Sequence, residues 1–211
     1  MTKLGIFGTS GFAREVGDIA EALGYDPIYL AADAVELAAW QFDAPAILES
    51  ELASLGTIPF AVGIGENRVR ERVAMRHRDR LTFPSLAHPS ATFGAGQRAK
   101  VEAQRGVIVC AGVRFTNNIQ VGQFSIFNLN ATVGHDCRID DFVNVSPGAN
   151  ISGNVHVGAR AWIGTGAAIN QGSNADKLRI GQDTVIGSGS VVVRSCDEQA
   201  VYVGIPAKRI K

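Results

Sequence analysis

The chain has 211 residues, enough for one large or two small domains with a real core, and its 20 Lys and Arg balance its 20 Asp and Glu at zero formal charge. That balance speaks against a general nucleic-acid binder, which carries a basic excess, and no apolar run is long enough to span a bilayer. Met1-Thr2-Lys3 leads into a strand-like stretch and not into a signal peptide, so the expected location is cytoplasmic. Cys110, Cys137 and Cys196 lack CxxC spacing and indicate neither a disulfide framework nor a zinc site, so no metal is expected.

Residues 1–85 read as alternating strand and helix, β-α-β-β-α. Leu4 to Phe7 is a short apolar strand, Gly8-Thr9-Ser10-Gly11 a glycine turn, and Ala13 to Leu23 a helix ended by Gly24. Pro27 to Leu30 is a second strand leading to Asp33. Ile58 to Val62 is a third, followed by Gly63-Ile64-Gly65 and a helix from Glu66 to His77. Alternation of this kind implies a parallel sheet with helices packed on it, a Rossmann-like α/β domain. The Gly8–Gly11 turn ahead of a helix suits a diphosphate, held by backbone N–H groups and the helix end. It lacks the GxGxxG spacing that would indicate NAD. Asp33 is placed either to meet a base or ribose or to serve as an ordinary loop residue. Arg70 is read as solvated or paired with Glu66 or Glu71, with a ligand contact as the alternative.

Phe83-Pro84 and His88-Pro89 break the pattern, and the domain boundary is placed there, giving residues 86–211 to a second domain. From Val121 to Ile169 a branched or large apolar residue recurs every six positions: Val121, Phe127, Val133, Ile139, Val145, Ile151, Val157, Ile163 and Ile169. A small or β-branched residue follows four places after each, from Ser125, Ala131 and Cys137 to Ala167 and Ser173. Period six fits neither a helix nor a lone strand but is the repeat of a parallel β-helix. The frame slips after Ile169, since the next guide is Ile180; the stretch Gln171 to Arg179 holds five extra residues and should bulge outward. The segment Val201 to Lys208 closes the last coil.

Three hexads make a triangular coil of eighteen residues, so positions eighteen apart stack. His135-Asp136 falls in a corner turn pointing away from the core, with Gly153 stacked on it, whereas Asn144 lies half a coil away. One prism cannot bring His135 and Asn144 into a single cleft; two chains must meet, and a threefold assembly makes three such clefts. His135 is the candidate base, because an unperturbed imidazole near pKa ~6.5 accepts a proton at neutral pH. Asp136 would fix its tautomer. The competing reading is a solvent-facing turn His beside a turn Asp.

The chain resembles the bacterial nucleotide-sugar acetyltransferases of the PglD/NeuD type within the hexapeptide-repeat acyltransferases. The resemblance rests on Gly8-Thr9-Ser10-Gly11, Gly63-Ile64-Gly65-Glu66-Asn67 with Arg70, His88-Pro89-Ser90-Ala91, Gly134-His135-Asp136-Cys137 and Gly204-Ile205-Pro206-Ala207-Lys208. It implies an α/β amino-terminal domain followed by a left-handed parallel β-helix. It further implies a nucleotide-sugar held by the first domain, through Gly8, Thr9, Ser10, Gly11, Gly63, Gly65, Glu66, Asn67 and Arg70, and His135 as base. Acetyl-CoA is then expected between adjacent β-helices of a homotrimer, against Asn144, Gly153, Thr165, Gly187 and Ser188. Lys208, with Arg209, is placed either to meet CoA phosphates or to form a solvated basic tail. Three departures stand out: some relatives have His where this chain has Asn144, others have Glu where Asp136 stands, and the glycine turn usually continues into His where this chain has Phe12.

The expected activity is N-acetylation of a nucleotide-linked 4-amino-4,6-dideoxysugar for surface glycans, in a ternary complex and without metal, membrane or nucleic acid. The alternatives are O-acetylation of sialic acid or another sugar, and a non-enzymatic trimeric scaffold. A zinc carbonic anhydrase on the same coil needs three converging histidines, but His135 and His156 are half a hexad apart around the prism and no third joins them.

Overall fold

The computed structural model describes residues 2–211; Met1, where the reading of the leader begins, lies outside them. The first domain is built on four parallel strands: β1 (Thr2–Phe7), β2 (Tyr25–Ala31), β3 (Ala46–Leu48) and β4 (Phe60–Val62), in the order β3-β2-β1-β4. Helix α1 (Gly11–Ala22) turns Ala13, Val16, Ile19 and Ala20 inward, the spacing of one helical face. A short α2 (Ala34–Ala38), a 3-10 helix (Glu49–Leu55) and α3 (Asn67–His77) complete it. The expected β-α-β-β-α pattern lacks α2 and β3. Three residues are too few to display alternation, and β3 exists because β2 offers it a paired edge, Tyr29 to Ala46 through Ala31 to Leu48.

The β-helix strands begin at Leu86–Ala87 and form three faces. The first face has eight strands, running from Leu86–Ala87 through Ile126–Phe127, Asn144–Val145 and Trp162–Ile163 to Val201–Val203 and the antiparallel Lys208–Arg209. The second has six, among them Thr132–Val133, Asn150–Ile151 and Ala168–Ile169, and the third has four, from Gln120–Val121 to Leu178–Ile180. Register follows the eighteen-residue step: Phe127 pairs with Val145, Val133 with Ile151 and Ile139 with Val157. The guide residues from Val121 to Ile169 are all buried. One partner differs from the expectation. Ser173 is exposed, and Leu178, paired with Val155, takes its inward slot, because the extra residues come before it. Helix α4 (Gln97–Glu102), also unexpected, covers the open edge of the third face. Its buried Gln97 both donates to the Ile119 carbonyl and accepts from the Ile119 N–H, as a neighbouring strand would.

Each corner turns through a left-handed residue, and the three corners differ. The corner from first to second face uses Gly112, Asn130, Gly148, Gly166 and Gly189; the one from second to third uses Asn118, Asp136 and Asn154; the one from third to first uses Phe124, Phe142, Arg160 and Asp183. Phenylalanine at positive φ is uncommon and costs energy. Here both rings are buried, stacked on each other at 5.4 Å, and join Phe7, Phe60, Val73 and Phe83 in one cluster. The third corner is thus the seam that holds the α/β domain.

Candidate active site

The second corner positions His135. Its side chain is 46% exposed, and Nδ1 lies 2.7 Å from Asp136 Oδ2. Asn118, one coil earlier on the same corner, donates to the other carboxylate oxygen of Asp136. Those two hydrogen bonds, from Asn118 first and His135 second, hold the Asp136 carboxyl below the usual carboxylate range. An ionised Asp136 makes Nδ1 the protonated nitrogen and leaves Nε2 as the acceptor. The imidazole lies over Gly153, where any Cβ would stand 2.6 Å from Nε2. Asn118 carried no signal in the sequence beyond sitting eighteen residues before Asp136.

A second feature lies in the α/β domain, where the loops after β1 and β4 meet. These strands are neighbours, and the chain order reverses between them, the position at which open parallel sheets bind ligands. Gly8 (φ 107°) lets its loop approach the Gly63 carbonyl, and Gly63 lets the β4 loop lie on α1, since a Cβ there would meet Ala13 Cα at 2.7 Å. Ser10 is the N-cap of α1, yet its side chain makes no capping bond and the first turn carries no acidic residue, so the helix end is open to an anion. Thr9 Oγ1 instead donates to Glu36. Asp33 caps α2, accepting from the Val35 and Glu36 N–H groups, and Glu66 caps α3 through the N–H groups of Arg68 and Val69. Phe12 is half-buried against the core.

Three expectations need correcting. Arg70 is neither solvated nor placed for a ligand; it is 1% exposed. Its five N–H groups donate to the carbonyls of Phe124, Ile64, Gly65 and Phe142 and to Asn67 Oδ1, tying α3 to the third corner. Burial pulls its pKa down to about 9, still charged at neutral pH. Asn67 is likewise consumed, donating to the carbonyls of Arg160 and Ala161. Asn144, expected on the cofactor wall, is buried under the α/β domain and donates to the Gly65 carbonyl at 3.1 Å, while its Oδ1 has no partner. The hexad register places Asn144 on the first face, and the α/β domain that covers this face leaves no mark in the register.

Thr165 and Ser188 stack on the first corner, both exposed, with Gly187 beside them. Lys208 lines a cavity of about 330 Å³ with Arg194, Arg209, Tyr202 and Pro206 at the carboxyl-terminal end. His135 and Gly153 share one corner, Thr165 and Ser188 another, so a single chain does not bring these two sets together. Among the described residues no helix is long and apolar enough to cross a membrane, and no cluster of His, Cys, Asp and Glu is grouped to hold a metal.

An α/β domain seated on a hexapeptide-repeat, left-handed β-helix with an outward His-Asp pair at one corner defines the class. Residues 3–77 match the PglD N-terminal domain. It is 32% identical over 123 residues to GDP-perosamine N-acetyltransferase of Escherichia coli O157:H7, a match covering 58% of this chain and 54% of that enzyme. The chain thus spans about half the length of that curated relative. Among solved structures, a variant of perosamine N-acetyltransferase from Caulobacter crescentus, in complex with CoA and GDP-perosamine, superposes with a TM-score of 0.88 at 29% identity, covering 100% of this chain and 98% of that one. The acetyltransferase domain of PglB from Neisseria gonorrhoeae gives 0.86 at 29% identity, with 100% of each chain covered.

Proposed function

We propose that the protein transfers the acetyl group of acetyl-CoA to the amino group of a nucleotide-linked 4-amino-4,6-dideoxysugar for surface glycan biosynthesis. His135 is the general base, and the working unit is a homotrimer with sites between chains, in the cytoplasm. One observation carries the reading: an imidazole held at Nδ1 by an ionised carboxylate, with Nε2 open at an exposed corner. Support comes from the end-to-end likeness to a protein crystallised with CoA and GDP-perosamine.

The amine lone pair attacks the thioester carbonyl carbon. The N–C bond forms, the C–S bond breaks, and the proton leaving nitrogen passes to His135 Nε2 and then to the departing thiolate. Asp136 stabilises the imidazolium formed on the way. The open end of α1 and the Gly8–Gly11 and Gly63–Gly65 loops suit the diphosphate and sugar. The exposed corner of Thr165 and Ser188, with the glycines that leave it flat, suits the pantetheine arm, and the cations at the 330 Å³ cavity suit phosphates. The second face carries short outward residues, Thr132, Asn150 and Ala168, on which a further copy can close.

Acetyl-CoA turnover with GDP-perosamine, then with UDP- and dTDP-linked 4-amino sugars, tests the activity. His135→Ala should lower kcat by about 10²- to 10⁴-fold while the thermal shift induced by the nucleotide-sugar persists. A variant that keeps its rate would end the assignment of His135 as base.

A further inference from the structure

The extra residues after Ile169 land on the corner that carries the imidazole. Ile151 pairs with Ile169, so the stack His135, Gly153 continues into Gln171, where the insertion leaves the coil. The Gly172 N–H donates to the Gly153 carbonyl at 3.1 Å, and on return the Leu178 N–H donates to the Asn154 carbonyl at 3.2 Å. Between these anchors Ser173 and Asp176 close the loop, with the Ser173 N–H on the Asp176 carbonyl and the Asp176 N–H on Ser173 Oγ. The next residue, the half-buried Lys177, reaches back toward the first of these coils and donates from Nζ to the backbone carbonyl of Asp136.

Asp136 is therefore held at every polar atom. Its N–H donates to the Asn117 carbonyl, its carboxylate accepts from Asn118 and pairs with His135, and its carbonyl accepts from Lys177. The first three partners belong to its own coil or the one before it. Only Lys177 comes from the insertion, and it acts on a residue at φ 58°, in the small left-handed region where a rotation of the peptide swings the side chain. Rotation of Asp136 would carry Oδ2, and with it the ring of His135, off Gly153.

We propose that Lys177 is a positioning residue for acetyl transfer, and that the insertion exists to bring its ammonium onto the Asp136 carbonyl and so fix the direction of His135 Nε2. This rests on the reading of His135 as base. A loop that only fills surface would have no reason to end in a cation aimed at the catalytic corner, where an apolar stem could close the bulge as well.

The test compares wild type, Lys177→Met, Lys177→Gln and Lys177→Arg for kcat, KM of both substrates, melting temperature and the NMR signal of the His135 Nδ1 proton. Lys177→Met should lower kcat about tenfold, as a sub-ångström misdirection of a base does, with both KM values changed less than about twofold. Lys177→Arg, which keeps a charged donor, should recover most of the loss, and Lys177→Gln should fall between. The Nδ1 proton should be sharp in wild type and Lys177→Arg and broadened in Lys177→Met. Unchanged kcat in Lys177→Met, equal losses in Met and Arg variants, or a loss carried by KM would overturn the proposal. Should Lys177→Met fail to fold, the Gln and Arg pair decides by the same criteria. If wild type transfers no acetyl group to any amino sugar, the functional reading fails, while the proton signal still reports whether Lys177 fixes the ring.

Discussion

At the scale of single residues, the corner at His135 works because each neighbour leaves one orientation open. Gly153 does not need its glycine for backbone freedom, as its φ is not positive; it needs the absence of a Cβ, which would stand 2.6 Å from Nε2 and 2.7 Å from Cε1. Gly153→Ala should therefore fold as wild type, with a melting temperature close to it, yet lose about tenfold or more in kcat, the cost of displacing the proposed base. Asp136 gives a pH prediction. Its folded-state pKa lies below the unfolded value of ~3.9, so its contribution to stability is present above about pH 4 and lost as pH falls through the lower folded value. Melting temperatures followed from pH 7 to pH 2 should thus fall more steeply at the acid end in wild type than in Asp136→Asn. The pair His135-Asp136 was legible because a hexad frame tells inward from outward residues. Asn118 was not singled out, since an Asn at a corner normally serves the left-handed turn itself, and its bond to Asp136 appears only when coils are stacked.

At the scale of elements, the instructive contrast is between the regular coils and the seam. Strand positions and register from Val121 to Ile169 follow from the period, since each guide is buried and paired eighteen residues on. The seam is not periodic in the same sense. Phe124 and Phe142 are eighteen apart, outside the inward frame, and large; that combination signals a docked partner, but it is visible only once outward corner positions are read for apolar size. Arg70 could not have been placed from sequence, because four of its acceptors are backbone carbonyls, which have no sequence signature. Its burial makes a prediction belonging to the element. Replacing it by Leu strands those carbonyls and Asn67 Oδ1 without donors, at ~1–3 kcal/mol for each group left unsatisfied and not rehydrated. Arg70→Leu should cost about 3 kcal/mol or more in denaturant unfolding and expose the Phe83–Pro89 connection to protease. Stability unaltered within about 0.5 kcal/mol would mean that the carbonyls find water and that the guanidinium is not the tie.

At the scale of the whole molecule, one chain holds its two candidate corners apart. The His135 corner joins the second and third faces, the Thr165–Ser188 corner joins the first and second, and the loop after β4, which borders the crevice of the α/β domain, rests on the first face where Asn144 donates to the Gly65 carbonyl. The second face lies between the two corners, so copies closing on it around a threefold axis would set the His135 corner of each against the Thr165 corner and crevice of the next. This makes a prediction about mixtures that no single-chain site can satisfy. His135→Ala removes the proposed base but leaves the crevice whole, whereas Ser10→Glu places a negative charge at the open end of α1 and should repel a diphosphate. Each variant alone should be nearly inactive. Co-refolded in equal amounts, they should regain about a quarter of wild-type activity, because a random ring places an intact corner beside an intact crevice at one interface in four. Mixing the two without refolding should restore nothing. A site confined to one chain would show no recovery under either protocol, and that result would remove the assembly from the proposed mechanism.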